Sequence, residues 1–203
     1  MAGAALRLME ADEFLVWSLG QEARYELVDG VPVEMKTDGA PLEMMAGASS
    51  VHDTIVPNII ASLHGQLRGT SCRATTADTA LRTRIRGFRR PDVTVTCDPP
   101  RPDVYEALQP RLAVEVLSPS NKGVAWDRKM REYRRHEALQ YILLVDSEVV
   151  GVTLYARTSD GWADSDFEKL ADVVDLPEIG CRLSLSDIYE ATGLTEPDER
   201  PDR

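Results

Sequence analysis

Cysteine, histidine and long apolar runs are all scarce in this chain, and each scarcity narrows what it can be. The three cysteines among 203 residues, Cys72, Cys97 and Cys181, are odd in number, far apart and nowhere spaced as Cys-x-x-Cys. That pattern argues against a zinc knuckle or a disulfide framework. It predicts isolated thiols in small core sites of a protein kept in a reducing, cytoplasmic setting. No apolar stretch approaches the roughly 18–20 residues that span a bilayer, so no membrane association is expected. The opening residues, Met1 to Arg7, lack the n-region and continuous apolar stretch of a secretory signal. Ser118 and Ser120 have no Gly-x-Ser-x-Gly context, and neither a Gly-x-x-x-x-Gly-Lys-Ser/Thr phosphate loop nor His-Glu-x-x-His occurs. Of the three histidines, His64 and His136 read as helix-surface residues, and His52 alone has suggestive surroundings.

Basic charge is also short, 23 Lys and Arg against 34 Asp and Glu, for a net −11 that disfavours a polyanionic partner. The total hides an asymmetry. Residues 1–66 hold 3 basic and 10 acidic side chains, residues 67–140 hold 15 and 9, and residues 141–203 hold 5 and 15. Most of the basic side chains of the middle third gather in two clusters. One is Arg82, Arg84, Arg86, Arg89 and Arg90; the other is Arg128, Lys129, Arg131, Arg134 and Arg135. Charge alone leaves open whether these are two solvated faces, one of a strand and one of a helix, or a surface for a polyanion.

The length and the 43% hydrophobic content fit one α/β domain over residues 1–193, followed by an acidic tail at 194–203 expected to be disordered. Met9 to Leu19 reads as a short helix with its acids at the positive end. Tyr25 to Met35 is two alternating runs around Asp29-Gly30, the sign of a hairpin, and Pro32 places its second strand at a sheet edge. Residues 37–50 form a small-residue loop. Ile55, Ile59, Leu63 and Leu67 repeat every four, and Pro57 suggests a helix beginning only at about residue 54. The stretch from Cys72 to Cys97 alternates in strand fashion with a turn at Gly87. Pro91–Cys97, Leu112–Leu117 and Tyr141–Val145 are the firmest strands, and Val149–Ala156 reads as a hairpin partner of the last. Trp126, Met130 and Tyr133 mark a helix after the Ser118–Gly123 loop, and a Ser-capped helix is expected from Ser186 to Thr192.

Two carboxylates stand out. Glu115 sits in the middle of the apolar strand Leu112–Leu117, where glutamate is buried only if its charge is compensated. Asp92 heads the strand Pro91–Val95. If these strands are neighbours, the carboxylates converge, and a divalent cation would relieve their repulsion. Mg²⁺ takes oxygen ligands from one or two carboxylates, with the Val116 carbonyl as a further candidate. The alternative is a structural salt bridge from Glu115 to an arginine such as Arg89 or Arg90. Lys129 lies three residues after Trp126 and four before Tyr133, so it flanks the buried stripe and either leans toward Glu115 or snorkels to solvent.

The order Tyr25-Glu26-Leu27-Val28-Asp29-Gly30, His52, Pro91-Asp92, Glu115-Val116-Leu117-Ser118-Pro119-Ser120 and Lys129-x-x-x-Tyr133 resembles the Uma family of bacterial putative restriction endonucleases, in the PD-(D/E)xK nuclease superfamily. The resemblance runs from about residue 10 to residue 193. It implies a restriction-endonuclease-like mixed β-sheet flanked by helices and metal-dependent hydrolysis of phosphodiester bonds in nucleic acid, DNA above all. By carry-over, Asp92 and Glu115 would hold Mg²⁺ (or Mn²⁺). Lys129 would replace the superfamily lysine usually found where this chain has Leu117. Many members carry an aspartate four residues before the helix lysine, here Lys129; the place is Ala125, with Asp127 shifted by two. Glu26 and His52 match recurrent positions as supporting residues. Arg84, Arg86, Arg89, Arg90, Arg128 and Arg131 would hold the nucleic-acid backbone, and many such nucleases act as homodimers. Two rivals stand beside this reading: a nucleic-acid-binding or oligomerising module without turnover, and a metal hydrolase acting on a small phosphate ester.

Overall fold

Asp29 and Gly30 both take positive φ, +50° and +85°, which is what a two-residue type I′ turn requires. They join β1 (Tyr25–Val28) to β2 (Val31–Glu34) in the expected antiparallel hairpin. The computed structural model describes residues 8–35, 49–117 and 124–197. The Ser118–Gly123 loop, all but the last two residues of the 37–50 loop, and residues 198–203 lie outside the described residues.

The hairpin belongs to a four-stranded sheet completed by β4 (Leu81–Arg84) and β5 (Gly87–Arg89), in the order β2-β1-β5-β4. Pro32 is therefore on an edge strand, the place in a sheet that tolerates a residue without an N–H. The first helix, α1 (Ala11–Ser18), lays Ala11 and Phe14 against Leu27 and Phe88, with Asp12 and Glu13 at its positive end. The turn expected at Gly87 lies at Ile85 and Arg86, and Gly87 opens β5. A Cβ on Gly87 would stand 2.6 Å from the Thr83 Oγ1, the hydroxyl that donates to Glu132. Gly87→Ala should therefore push Thr83 off Glu132 and lower stability by about 1–3 kcal/mol in urea denaturation; an unchanged midpoint would contradict the close approach.

A second, six-stranded sheet carries the core. Its strands are β3 (Arg73–Thr76), β6 (Val93–Thr96), β7 (Pro110–Leu117), β8 (Tyr141–Asp146), β9 (Val152–Thr158) and β10 (Gly161–Phe167), in the order β10-β9-β8-β7-β6-β3. Only β7 and β8 are parallel, joined through the crossover helix α3 (Val124–Arg135). Both strands are buried nearly throughout, which is why they read as continuous apolar runs. On one face α2 (His52–Gln66) packs Ile55, Ile59 and Leu63 against Val93, Val95, Leu112, Val114 and Val116. On the other, Met130 and Tyr133 of α3 pack against Ala113, Ile142 and Leu144. This is the expected restriction-endonuclease-like mixed sheet flanked by helices.

Several expectations need correction. The strands do not form one sheet: the hairpin builds a separate one, and β11 (Val173–Leu176) with β12 (Cys181–Ser184) forms a two-stranded third. Strand β10 went unforeseen because it is mostly exposed and polar, so no apolar alternation marks it. Helix α2 starts at His52, not about 54. The carbonyls of Ser49 and Val51 already accept from Asp53 and Ile55, so Pro57 sits in the second turn and removes one helical bond. The last helix, α4 (Leu185–Ile188), is capped by Ser184 and stops well before Thr192.

The cysteines differ most. Cys72 and Cys97 form a disulfide, because the β3–β6 register pairs Arg73 with Thr96 and so carries residues 72 and 97 to the next opposing position. Partners 25 residues apart on neighbouring strands leave no spacing to recognise in the sequence. The inference of a reducing setting thereby loses its support. Cys181 is the buried free thiol that was expected. Among the described residues no helix is long and apolar enough to cross a membrane. Near the C-terminus the Thr195 carbonyl accepts from the Val150 N–H, and the Glu196 carboxylate from the Leu170 N–H.

Candidate functional site

Strand β7 alternates its faces, so Leu112, Val114 and Val116 join the α2 side while Ala113 and Glu115 turn to α3. The antiparallel register of β6 on β7 pairs Val93 with Val114. One step further, Asp92 comes opposite Glu115. The Val116 N–H donates to Asp92 Oδ2 at 2.8 Å, and His52 Nε2, at the start of α2, lies 3.4 Å from Asp92 Oδ1.

Two groups one helical turn apart on α3 reach Glu115. Lys129 Nζ lies 2.7 Å from Glu115 Oε1, and the Tyr133 hydroxyl donates to the same oxygen at 2.5 Å. Glu26 approaches from the other sheet. Its Oε1 accepts from the Arg90 N–H at 3.0 Å and lies 3.4 Å from Lys129 Nζ, while Oε2 accepts from Arg89 Nη1 at 2.9 Å. Arg89 then makes a two-pronged contact to Glu132 on α3, Nε to Oε2 at 2.7 Å and Nη2 to Oε1 at 3.1 Å. A chain of alternating charges thus ties the hairpin sheet to the helix that carries Lys129.

Burial sets the electrostatics. The Glu115 side chain is 5% exposed; its burial, with Asp92 adding repulsion, pushes the carboxyl up to about 7 against the pull of Lys129 and Tyr133. Burial alone would lower the Lys129 ammonium, but the charges of Glu115, Glu26 and Asp92 outweigh it and hold it above its ordinary value. Burial likewise opposes ionisation of Glu26, yet Lys129 and Arg89 hold that carboxyl below the usual range. Lys129 is therefore a cation at neutral pH, while Glu115 can hold or release a proton there.

Asp92, Glu115, Lys129, Glu26 and His52, picked from scattered motifs, meet in this one place. Val116 contributes its N–H to Asp92. The alternative arginine partners of Glu115 are engaged elsewhere, and Lys129 takes that role. The arginines divide. Arg89 is 4% exposed and held between Glu26 and Glu132, and Arg90 spends its guanidinium on the carbonyls of Tyr25, Ala77 and Asp78. Arg89, on a central strand of its sheet, braces the interior and is closed to a phosphate, while Arg90, just beyond that strand, is partly buried with its guanidinium committed to backbone carbonyls. Arg84, Arg86 and Arg131 are exposed, and Arg128 is half-exposed against Asp29. Asp127 points to solvent. Sequence reasoning missed the roles of Glu132 and of the Tyr133 hydroxyl. Their positions three and four residues beyond Lys129, on the buried stripe of α3, were the available sign.

The chain is 31% identical over 184 residues to an uncharacterized protein of Synechocystis sp., covering 89% of this chain and 91% of that one. A crystal structure of a putative nuclease belonging to DUF820, from Anabaena variabilis, matches with a TM-score of 0.67 over 91% of this chain and 99% of the other, at 17% sequence identity. The two share a fold. Residues 11–186 match the Uma2 family, described as putative restriction endonuclease. That span includes every residue gathered around Glu115, and on it the chain belongs to the Uma2 family of putative restriction endonucleases.

Proposed function

We propose that the chain is a divalent-metal-dependent endonuclease that hydrolyses phosphodiester bonds in nucleic acid, DNA in particular, with Asp92, Glu115 and Lys129 at its centre. The observation that supports it is the β6–β7 register, which sets Asp92 opposite the buried Glu115 with Lys129 on the second carboxylate. Among the described residues no three His, Cys, Asp or Glu side chains form a metal cluster. Two carboxylates and a nearby carbonyl are nevertheless the hard-oxygen set that Mg²⁺ uses when water and substrate complete its shell. Asp92 and Glu115, with the Val116 carbonyl, would hold Mg²⁺ or Mn²⁺, which acidifies a bound water and polarises a phosphate.

The chain's own groups prepare that chemistry. The Val116 N–H and His52 orient the Asp92 carboxylate. Lys129 and Tyr133 both hold Glu115 through Oε1, leaving Oε2 outside those two contacts. Lys129, kept charged by Glu26 as well as Glu115, suits stabilisation of a negative phosphate and not removal of a proton. The test is incubation with supercoiled plasmid and with single-stranded DNA in the presence of Mg²⁺ or Mn²⁺. The wild type should cut only with metal and Asp92→Ala not at all; equal cleavage by both would sink the assignment.

A pH dependence follows from Glu115, which must lose its proton to bind a cation. Mn²⁺ affinity should rise as pH goes from about 6 to 8, approaching tenfold per unit below 7. Calorimetry in buffers of different ionisation enthalpy would detect the proton released, and an affinity flat across that range would count against Glu115 as a ligand. A second reading, a nucleic-acid-binding module without turnover, draws on the same contact, since Lys129 already neutralises Glu115 at 2.7 Å. It predicts binding that survives chelation and yields no products.

A further inference from the structure

Acids of the N-terminal third lie on arginines of the basic middle third. Asp29 Oδ2 is 2.8 Å from Arg128 Nη1, both side chains being about half exposed (56% and 43%), and Glu10 Oε1 is 3.8 Å from Arg86 Nη2. The two arginines flank one feature, the β1–β2 turn. The Gly30 N–H donates to the Arg86 carbonyl at 2.9 Å, and a Cβ on Gly30 would stand 3.5 Å from Arg86 Cδ. Arg128 and Lys129, successive on α3, reach Asp29 and Glu26 of the same hairpin, which joins this turn to the candidate active centre.

The carboxylate of Asp29 is not demanded by the turn. At φ +50° asparagine serves a type I′ turn as well as aspartate does. An exposed ion pair adds little to stability. What remains is an anion set on the guanidinium of an arginine, the side chain whose planar fork suits phosphate.

We propose that Asp29 occupies a backbone-phosphate position: the phosphodiester backbone of the substrate crosses the β1–β2 turn between Arg128 and Arg86 on its way to Lys129, and displaces the Asp29 carboxylate from Arg128. The inference rests on the nucleic-acid reading above and adds the path of the substrate and a built-in competitor for it.

Fluorescence anisotropy without divalent cation, with a labelled DNA duplex and an RNA duplex of equal length, tests it. Asp29→Asn should bind at least one of them about two- to fivefold more tightly, with a steeper fall in affinity as salt rises. Arg128→Ala should weaken binding, and Asp29→Asn should add nothing on top of it. Asp160→Asn, which removes an equal charge at the exposed β9–β10 turn, should leave binding unchanged. The proposal is overturned if Asp29→Asn behaves like Asp160→Asn, or if its gain persists without Arg128. Should the wild type and all variants bind neither duplex nor a single-stranded DNA of the same length, the nucleic-acid reading itself fails.

Discussion

Glu115→Gln is expected to lower metal-dependent cleavage more than about a hundredfold, because loss of groups merely supporting a metal ligand already costs about 10–100-fold. The amide keeps the shape of the carboxylate and can still accept from Lys129 and Tyr133, so the fold should persist. What it lacks is the negative charge that holds a cation. Stability provides an independent check with a definite sign. The Glu115 carboxyl is raised from 4.5 to about 7 in the folded chain. Its contribution is thus fully present below 4.5 and is lost as pH rises through 7. Glutamine does not titrate, so the variant should gain on the wild type across that window in urea denaturation. Activity within tenfold of the wild type would remove Glu115 from the chemistry.

Lys129→Met should act in the opposite direction. The ammonium lies between Glu115 and Glu26, with its side chain 16% exposed, and removing one partner of a buried ion pair destabilises by about 3–5 kcal/mol. Glu26 keeps Arg89 as a partner, so Glu115 carries most of the strain. It can answer only by staying protonated, which raises its folded pKa further. A raised carboxyl loses stability as pH rises, so the deficit should be smaller near pH 6 than near pH 8, read from denaturation midpoints. Mn²⁺ should restore part of it, by binding the carboxylates that lost their cation. A deficit independent of pH would mean that Glu115 does not feel Lys129.

The features legible in the sequence were local or stood out against an apolar background. Asp29-Gly30 announced its turn because two consecutive positive φ angles favour those residues. Glu115 and Asp92 were conspicuous as acids in strand patterns, and the spacing of Lys129 from Trp126 and Tyr133 put it beside the buried stripe. The failures share a cause, which is that strand pairing is long-range. Nothing near Cys72 points to Cys97, since only the β3–β6 register opposes them. Arg89 and Arg90 looked like a basic patch because their neighbours are charged. Only the folding of β1 and α3 to either side of Arg89 reveals that Glu26 and Glu132 enclose it.

The central claim is that Asp92 and Glu115 together hold a divalent cation. Titration of Mn²⁺ into the wild type, Asp92→Ala and Glu115→Gln at about pH 8, followed by electron paramagnetic resonance of the free ion, tests it most directly. Loss of either carboxylate should weaken binding by at least about tenfold, with both variants intact by circular dichroism. Equal affinity in all three proteins would contradict it.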